Sequence, residues 1–476
     1  MFSHDRFSVV SSSRCCRQFD STVRRLLIAL PALFALCAQP ASADVVQILD
    51  SNHDAFRARI NLICSAQSRV EFACFELLDD ELSYAFLALL RDAARRGVEV
   101  QVVVDAFGDR VPQPVYNHLI RQGVQIRRYH PLRLTEAHRY LCRMHDKLLL
   151  VDGRTMILGG RNMGAPYYGL SQKQNFLDRD VLISGPAVGD ADAYFRQLWN
   201  SCHVVPMAPG ARNRTLMLQS RRQRFSSTAR QAALWPDSPI CLQRFSVDRL
   251  LDESLSRLLA RTANRTSSAF LWQSVEKPTE AIRFLHSSRL WTAHNTDISD
   301  ELLALIKSAR RRIVVETPHL VLTKQFETAL SAAVRRGVRV QLLTNSLATT
   351  NRPVVHAGYV NQKRKMLQSG IEVWEYQGPN FLHAKAMVVD DVAVIGSYNL
   401  HPRSQYFDTE VAVAIRDPQL AAALRLSIEN HRSAAVRAGS APGYCLSRQL
   451  GGLPQRRRIA WMTLLRLAAP LIERHL

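Results

Sequence analysis

Apolar and polar positions follow two periods along this chain, and the same succession occurs twice. From Leu82 to Arg95 the apolar residues fall on one helical stripe, and an apolar strand follows from Val100 to Val104. Ala329 to Arg335 and Val338 to Leu343 repeat that helix and strand. The stretch Arg95-Arg96-Gly97-Val98-Glu99-Val100-Gln101 returns with one change as Arg335-Arg336-Gly337-Val338-Arg339-Val340-Gln341, 240 residues later. Gly97 and Gly337 are expected to end their helices, because glycine enters the left-handed cap conformation without strain. Farther on, Gly123-Val124-Gln125-Ile126 is matched by Gly370-Ile371-Glu372-Val373. So long a period means paired domains and not a solenoid. Alternating helices and strands then predict two tandem α/β units, each a central sheet covered by helices on both faces.

Around these units the composition shifts. Arg24 and Arg25 precede the apolar run Leu26 to Ala38 and then Ala41-Ser42-Ala43, so residues 1–43 read as a secretory signal, with a retained N-terminal anchor as the alternative. The run contains Pro31 and falls short of the roughly 20 residues of a spanning helix. The expected order is a first domain at 44–205, a linker or surface excursion rich in Pro, Arg, Ser and Gln at 206–240, a second domain at 241–455, and a basic amphipathic helix at 456–476. That last segment sets Arg456, Arg457, Arg458 and Arg466 beside Ile459, Trp461, Leu464 and Leu465. It suits either an anionic lipid surface or packing onto the second domain. Removal of the signal leaves Cys64, Cys74, Cys142, Cys202, Cys241 and Cys445, whose spacing allows a disulfide or two in an exported chain and follows no metal-binding pattern. The net charge of +21 comes from 62 basic and 41 acidic residues, and arginine makes up nearly all of the basic set. Guanidinium forks suit a phosphate-bearing partner, although codon bias produces the same excess.

The chemistry is duplicated as well. Met144-His145-Asp146-Lys147 leads to Asp152, and Leu382-His383-Ala384-Lys385 leads to Asp390, so both halves carry His-x-Lys-x4-Asp. Side chains alternate along a strand, which puts His145 with Lys147, and His383 with Lys385, on one face; Asp152 and Asp390 have the opposite parity and look structural. A neutral imidazole beside an ammonium is suited to attack phosphorus while the lysine binds phosphoryl oxygens. Two such sets make one site for a phosphodiester. Gly159-Gly160-Arg161-Asn162 and Gly396-Ser397-Tyr398-Asn399 follow, in which Gly160 and Ser397 would let the backbone approach a phosphate while Asn162 and Asn399 donate to it. Asp178-Arg179-Asp180-Val181 is aligned with Asp408-Thr409-Glu410-Val411, making Asp180 and Glu410 the candidates to orient the histidines.

These residues resemble the phospholipase D superfamily, whose hallmark is a duplicated His-x-Lys-x4-Asp motif, and most closely its bacterial cardiolipin synthase C branch. The likeness extends through Tyr167-Tyr168-Gly169, Phe195-x-x-x-Trp199-Asn200-Ser201, Thr344-Asn345-Ser346-Leu347, His356-Ala357-Gly358-Tyr359 and His401-Pro402-Arg403-Ser404. One departure is that Asp390 to Gly396 is a residue shorter than the usual spacing; another is the export signal. The resemblance implies two phospholipase D-like α/β/α sandwiches sharing one active site, and a metal-free, cofactor-free, two-step reaction. His145 would attack to form a phosphohistidine and His383 would act as general acid and then base, an assignment open to reversal. The implied substrates are phospholipids, phosphatidylglycerol and phosphatidylethanolamine, at a membrane surface in or near the bacterial periplasm, with cardiolipin synthesis or hydrolysis as the outcome. No helper protein is specified. The alternatives are a secreted metal-independent nuclease, since +21 also suits nucleic acid, and a noncatalytic lipid-binding protein.

Overall fold

The computed structural model describes residues 43–131, 141–208, 246–263, 275–278, 281–287, 297–439 and 465–466. The expected signal lies outside the described residues up to position 42. Ala43, read as its last residue, already opens the first strand. Most of the linker and, apart from Leu465 and Arg466, the C-terminal segment also lie outside them.

The first half begins with β1 (Ala43–Leu49), α1 (Asn52–Ser65), β2 (Arg69–Cys74), α2 (Glu81–Arg95), β3 (Glu99–Asp105), α3 (Gln113–Arg121) and β4 (Gln125–Tyr129). It continues through β5 (Lys147–Val151), β6 (Thr155–Gly159), β7 (Phe176–Leu177), β8 (Asp180–Ser184), α4 (Val188–Trp199) and β9 (Val204–Pro206). After α5 (Val247–Ala263) and β10 (Val275–Pro278), the second half repeats the plan with β11 (Ile282–His286), α6 (Asp297–Ser308), β12 (Arg312–Glu316), α7 (Lys324–Arg335), β13 (Arg339–Asn345), α8 (Pro353–Gln368) and β14 (Glu372–Tyr376). It closes with β15 (Phe381–Leu382), β16 (Ala386–Val389), β17 (Val392–Gly396), α9 (Pro402–Tyr406), β18 (Val411–Arg416), α10 (Pro418–Arg432) and β19 (Ala435–Arg437).

The two large sheets correspond strand by strand except for β10, an additional strand on the edge of the first. Their orders are β10-β1-β8-β6-β5-β2-β3-β4-β9 and β11-β18-β17-β16-β12-β13-β14-β19. In each, three strands run parallel and the rest pair antiparallel. β5, β16 and β17 are buried along their whole length, as expected of strands covered on both faces. Gly97 and Gly337 end α2 and α7 at φ of 89° and 88°, in the left-handed region that the repeated Arg-Arg-Gly motif anticipated. The residue missing between Asp390 and Gly396 is absorbed in the hairpin turn. Lys147 to Gly159 and Lys385 to Gly396 keep equivalent pairing, because Leu148 faces Leu158 and Ala386 faces Ile395.

The second-half boundary expected at 241 differs from the sheets. β10 pairs with β1 on the edge of the first sheet, and α5 lies along α2. Arg91, buried on α2, pairs with Asp248 and Asp252 of α5, and Leu251 and Leu258 are buried in the first core. This cover explains why α2 is buried nearly all round its circumference. Between the halves runs one shared apolar core in which Val181, Tyr194 and Phe195 meet Phe284, Val388 and Ile395. At the C-terminal end Leu465 is buried with Val354, Val355 and Ala357, and Asn361 hydrogen-bonds with Arg466. For Leu465, protein is the apolar partner. Cys64, Cys74, Cys142 and Cys202 are free thiols, while Cys241 and Cys445 lie outside the described residues.

Candidate active site

Each half delivers its histidine by the same local device. β5 starts at Lys147 and β16 just after Lys385, so the histidine two positions earlier stands at the mouth of a buried strand with its lysine on the same face. The His145 amide donates to the carbonyl of Thr409 at 3.1 Å, and the His383 amide to that of Leu177 at 2.7 Å. These are contacts between halves. A short parallel pairing of β7 with β15 and a bridge between Met144 and Thr409 complete the join.

The residue after each accepting carbonyl is an acid that reaches the histidine's ring. His145 Nδ1 lies 3.0 and 3.1 Å from the carboxylate oxygens of Glu410, and His383 Nδ1 lies 2.5 Å from Asp178 Oδ2. The acids are therefore exchanged: each half orients the other half's imidazole. With the ring proton on the nitrogen facing the carboxylate, Nε2 of a neutral ring carries its lone pair toward the site.

Glu410 is where the sequence expects an orienting acid; Asp180 is not. Gly159 pairs with Asp180, whereas Gly396 pairs with Ala412, so the counterpart of Glu410 is Asp178, two residues earlier. Asp180 is fully buried and forms ion pairs with Arg59 at 2.9 Å and Arg161 at 3.3 Å. Gly160 and Ser397, read as phosphate contacts, lie against the two acids. A Cβ at Gly160 would come within 2.0 Å of Asp178 Oδ1, and the Ser397 hydroxyl donates to Glu410 from the equivalent position. Ser404 donates to the other oxygen of Glu410.

Asp152 and Asp390 sit at the far ends of their strands with φ of 53° and 51°. Asp152 accepts the backbone N–H groups of Gln67, Ser68 and Arg69, and Asp390 those of Arg310, Arg311 and Arg312. Each ties its hairpin to the start of a neighbouring strand, as their parity implied. Asn162 accepts the Glu76 N–H and donates to the Tyr167 hydroxyl at 2.8 Å. Asn399 is less committed: its buried Oδ1 has no hydrogen-bond partner among the described residues. Lys147 Nζ donates to the His145 carbonyl at 2.6 Å, with the Phe75 ring 5.2 Å from it and tilted against the His145 ring at 5.1 Å. Lys385 Nζ lies 2.5 Å from the His383 carbonyl and 3.0 Å from Nε2 of the same ring, while Tyr167, Phe176 and Phe381 pack around that ring.

Burial dominates the electrostatics. It holds the His145 ring well below its ordinary proton affinity, with Lys147 and Lys385 adding to the effect, and it lowers His383 to about 4 with help from Lys385. Lys385 itself is brought down to about 7, and Lys147 is lowered, in both cases first by loss of solvent. Burial pushes Glu410 well up. Asp178 is pushed up by the same burial but pulled further down by His383 and Lys385, so it stays ionised. His401 also lies near the site; burial first, then Arg403, lower it to about 3.

A folded-state value below the unfolded one means that the unfolded chain binds the proton more readily. His401 therefore costs no stability at neutral pH, and stability is lost as pH falls below about 6.5, by roughly 3 kcal/mol at pH 4. Its Nδ1 accepts the Ser404 N–H and caps α9, a bond that asparagine can also make. His401→Asn is expected to flatten the fall in melting temperature between pH 6.5 and 4, measured by thermal unfolding across that range; an unchanged slope would refute this.

Several residues of the site were not legible by motif. In the string alignment Asp178 stands out of register; Tyr167 and Ser404 lie in stretches that carry the family resemblance but have no role assigned by it, and Phe75 has no signal of its own.

Two half-domains that meet at one pair of exchanged histidine–acid contacts define an enzyme of the phospholipase D superfamily. The family described as cardiolipin synthase, PLD-like domain, matches residues 60–199 and 302–432, and the chain belongs to it. Cardiolipin synthase C of Escherichia coli (strain K12) is 26% identical over 427 residues, covering 82% of this chain and 85% of that protein. Cardiolipin synthase B of the same strain is 25% identical over 390 residues, covering 80% and 78%. In fold, the chain is similar to the crystal structure of phosphatidylserine synthase from Haemophilus influenzae Rd KW20, with a TM-score of 0.63, 15% identity, and coverage of 90% of this chain and 95% of that one. Among the described residues no helix is long and apolar enough to cross a membrane.

Proposed function

We propose that this enzyme transfers a phosphatidyl group from phosphatidylglycerol or phosphatidylethanolamine to the headgroup hydroxyl of a second phosphatidylglycerol, forming cardiolipin. The observation that carries the reading is the pair of histidines, each oriented through Nδ1 by an acid from the opposite half. His145 Nε2 attacks phosphorus, the bond from phosphorus to the headgroup oxygen breaks, and His383 gives that oxygen its proton. The acceptor hydroxyl then gives its proton to His383 and attacks phosphorus, and the bond to His145 breaks.

The differences between the histidines support this division of labour. The ionised Asp178 beside His383 stabilises an imidazolium, and Lys385, within 3.0 Å of Nε2, is a neighbouring proton source. A bound phosphodiester adds negative charge, which raises the proton affinity of both rings. Lys147, Lys385 and the side-chain NH2 of Asn399 are the donors for the phosphoryl oxygens, where charge grows in the transition state. Asn162, with its amide already engaged, positions Tyr167 beside His383. Export of the chain and work at a membrane surface, with an N-terminal signal and a basic C-terminal segment, belong to the same proposal.

The test is incubation of purified protein with labelled phosphatidylglycerol and phosphatidylethanolamine vesicles in the presence of chelator, with products resolved by mass spectrometry. Cardiolipin is the expected product. Phosphatidic acid alone would make the enzyme a hydrolase, and no lipid turnover together with DNA cleavage would make it a nuclease.

A further inference from the structure

Cardiolipin formation brings a second phosphodiester to the site. The acceptor lipid carries its own phosphate only a few bonds from the attacking hydroxyl, so an enzyme that prefers this acceptor to water needs a second anion subsite beside the first.

A line of rings leads away from the reacting histidine. Phe381 lies 5.7 Å from His383, His319 lies 6.0 Å from Phe381, and His401 lies 6.2 Å from His319, stacked at 26°. The hydrogen bond from the Ser404 N–H fixes the tautomer of His401. Because Nδ1 accepts, the neutral ring carries its proton on Nε2. This is the opposite polarity to His145 and His383, whose Nδ1 atoms face carboxylates. His401 therefore presents a donor where the reacting histidines present lone pairs.

That donor is unspent. Among the described residues, neither His401 Nε2 nor either ring nitrogen of His319 has a hydrogen-bond partner, and the exposed guanidinium of Arg352, at the start of α8, has no carboxylate or other partner. Arg352 is within electrostatic reach of His319, as are His401, Lys385 and His383, which together with burial keep the His319 ring neutral. Other arginines near the join, such as Arg161, Arg179 and Arg403, are engaged with carboxylates, carbonyls or a hydroxyl. The two unengaged rings of His401 and His319, 6.2 Å apart and one of them fixed in its tautomer, with the charge of Arg352 within electrostatic reach, make a place for an anion.

We propose that His401, His319 and Arg352 bind the phosphodiester of the acceptor lipid and so favour transfer to phosphatidylglycerol over transfer to water or a neutral alcohol. This rests on the reading of the enzyme as a cardiolipin-forming transferase.

The experiment supplies phosphatidylglycerol vesicles with and without ethanol and compares cardiolipin with phosphatidylethanol for the wild type, His401→Asn, His319→Gln and Arg352→Gln. His401→Asn keeps the α9 cap, and Arg352 is exposed, so these two variants test the subsite without unfolding the chain. The expected result is at least a tenfold fall in the ratio of cardiolipin to phosphatidylethanol, with the KM for acceptor raised more than kcat is lowered. Inorganic phosphate should inhibit cardiolipin formation in the wild type and less so in the variants. A ratio that stays constant, whether both products fall together or neither changes, overturns the subsite. Phosphatidylethanol without cardiolipin from the wild type overturns the acceptor assignment and the subsite with it, whereas failure of the subsite alone leaves wild-type cardiolipin formation intact.

Discussion

Replacing His145 or His383 by alanine is expected to abolish phosphatidyl transfer, with a loss of at least about a thousandfold, while leaving the chain folded. Both rings stand at the mouths of buried strands that are held by backbone pairing along their length, so the side chains do not carry the sheet. The two variants should then separate when the substrate is changed. With a p-nitrophenyl phosphodiester the leaving group needs no proton, so His383→Ala should regain a stoichiometric burst of nitrophenol, whereas His145→Ala should release none. Stopped-flow absorbance reads this directly. A burst from His145→Ala and none from His383→Ala would reverse the two roles, and substantial turnover of natural lipid by either variant would defeat the mechanism.

The second large effect separates two aspartates that are neighbours but one in sequence. Asp178→Asn removes the carboxylate that holds His383 and substitutes an amide that favours the wrong tautomer, so kcat should fall by about a hundredfold to ten-thousandfold with little change in melting temperature. Asp180→Asn should do the reverse. It leaves Arg59 and Arg161 buried without their shared counter-charge, at a cost of about 3–5 kcal/mol, while the protein that remains folded turns over nearly as before. Paired measurements of kcat and thermal unfolding decide it. Full activity in Asp178→Asn with inactive but stable Asp180→Asn would restore Asp180 as the orienting acid.

That choice also marks how far the sequence could be read. The duplicated helix-glycine-strand pattern and both His-x-Lys-x4-Asp motifs specified two equivalent sheets and placed the histidines at equivalent points, and the opposite parity of Asp152 and Asp390 identified them as structural. These features depend on local periodicity. The orienting acid in the first half depends on register instead. Asp-x-Asp-Val and Asp-x-Glu-Val look alike as strings, but the pairing of Gly159 with Asp180 and of Gly396 with Ala412 slides one against the other by two residues. Parity survives such a slip, so alternation gives no warning. The exchange of acids between halves is less legible still, because it depends on how two sheets meet at β7, β15 and the Met144–Thr409 bridge. Gly160 and Ser397 escape a reading as contacts of the acids for the same reason: a small residue makes room for something, and only the assembled fold shows that the neighbour is a carboxylate.

The exchange has a consequence for the life of the chain before it is finished. His145 is synthesised long before Glu410, and the Thr409 carbonyl that accepts its backbone N–H arrives with that acid. A chain emerging from the ribosome therefore has no oriented His145 until Glu410 has been made and the second half has folded against the first. No half-enzyme with an oriented histidine precedes it, and the site is assembled at one late moment, when the last acid closes over the first histidine.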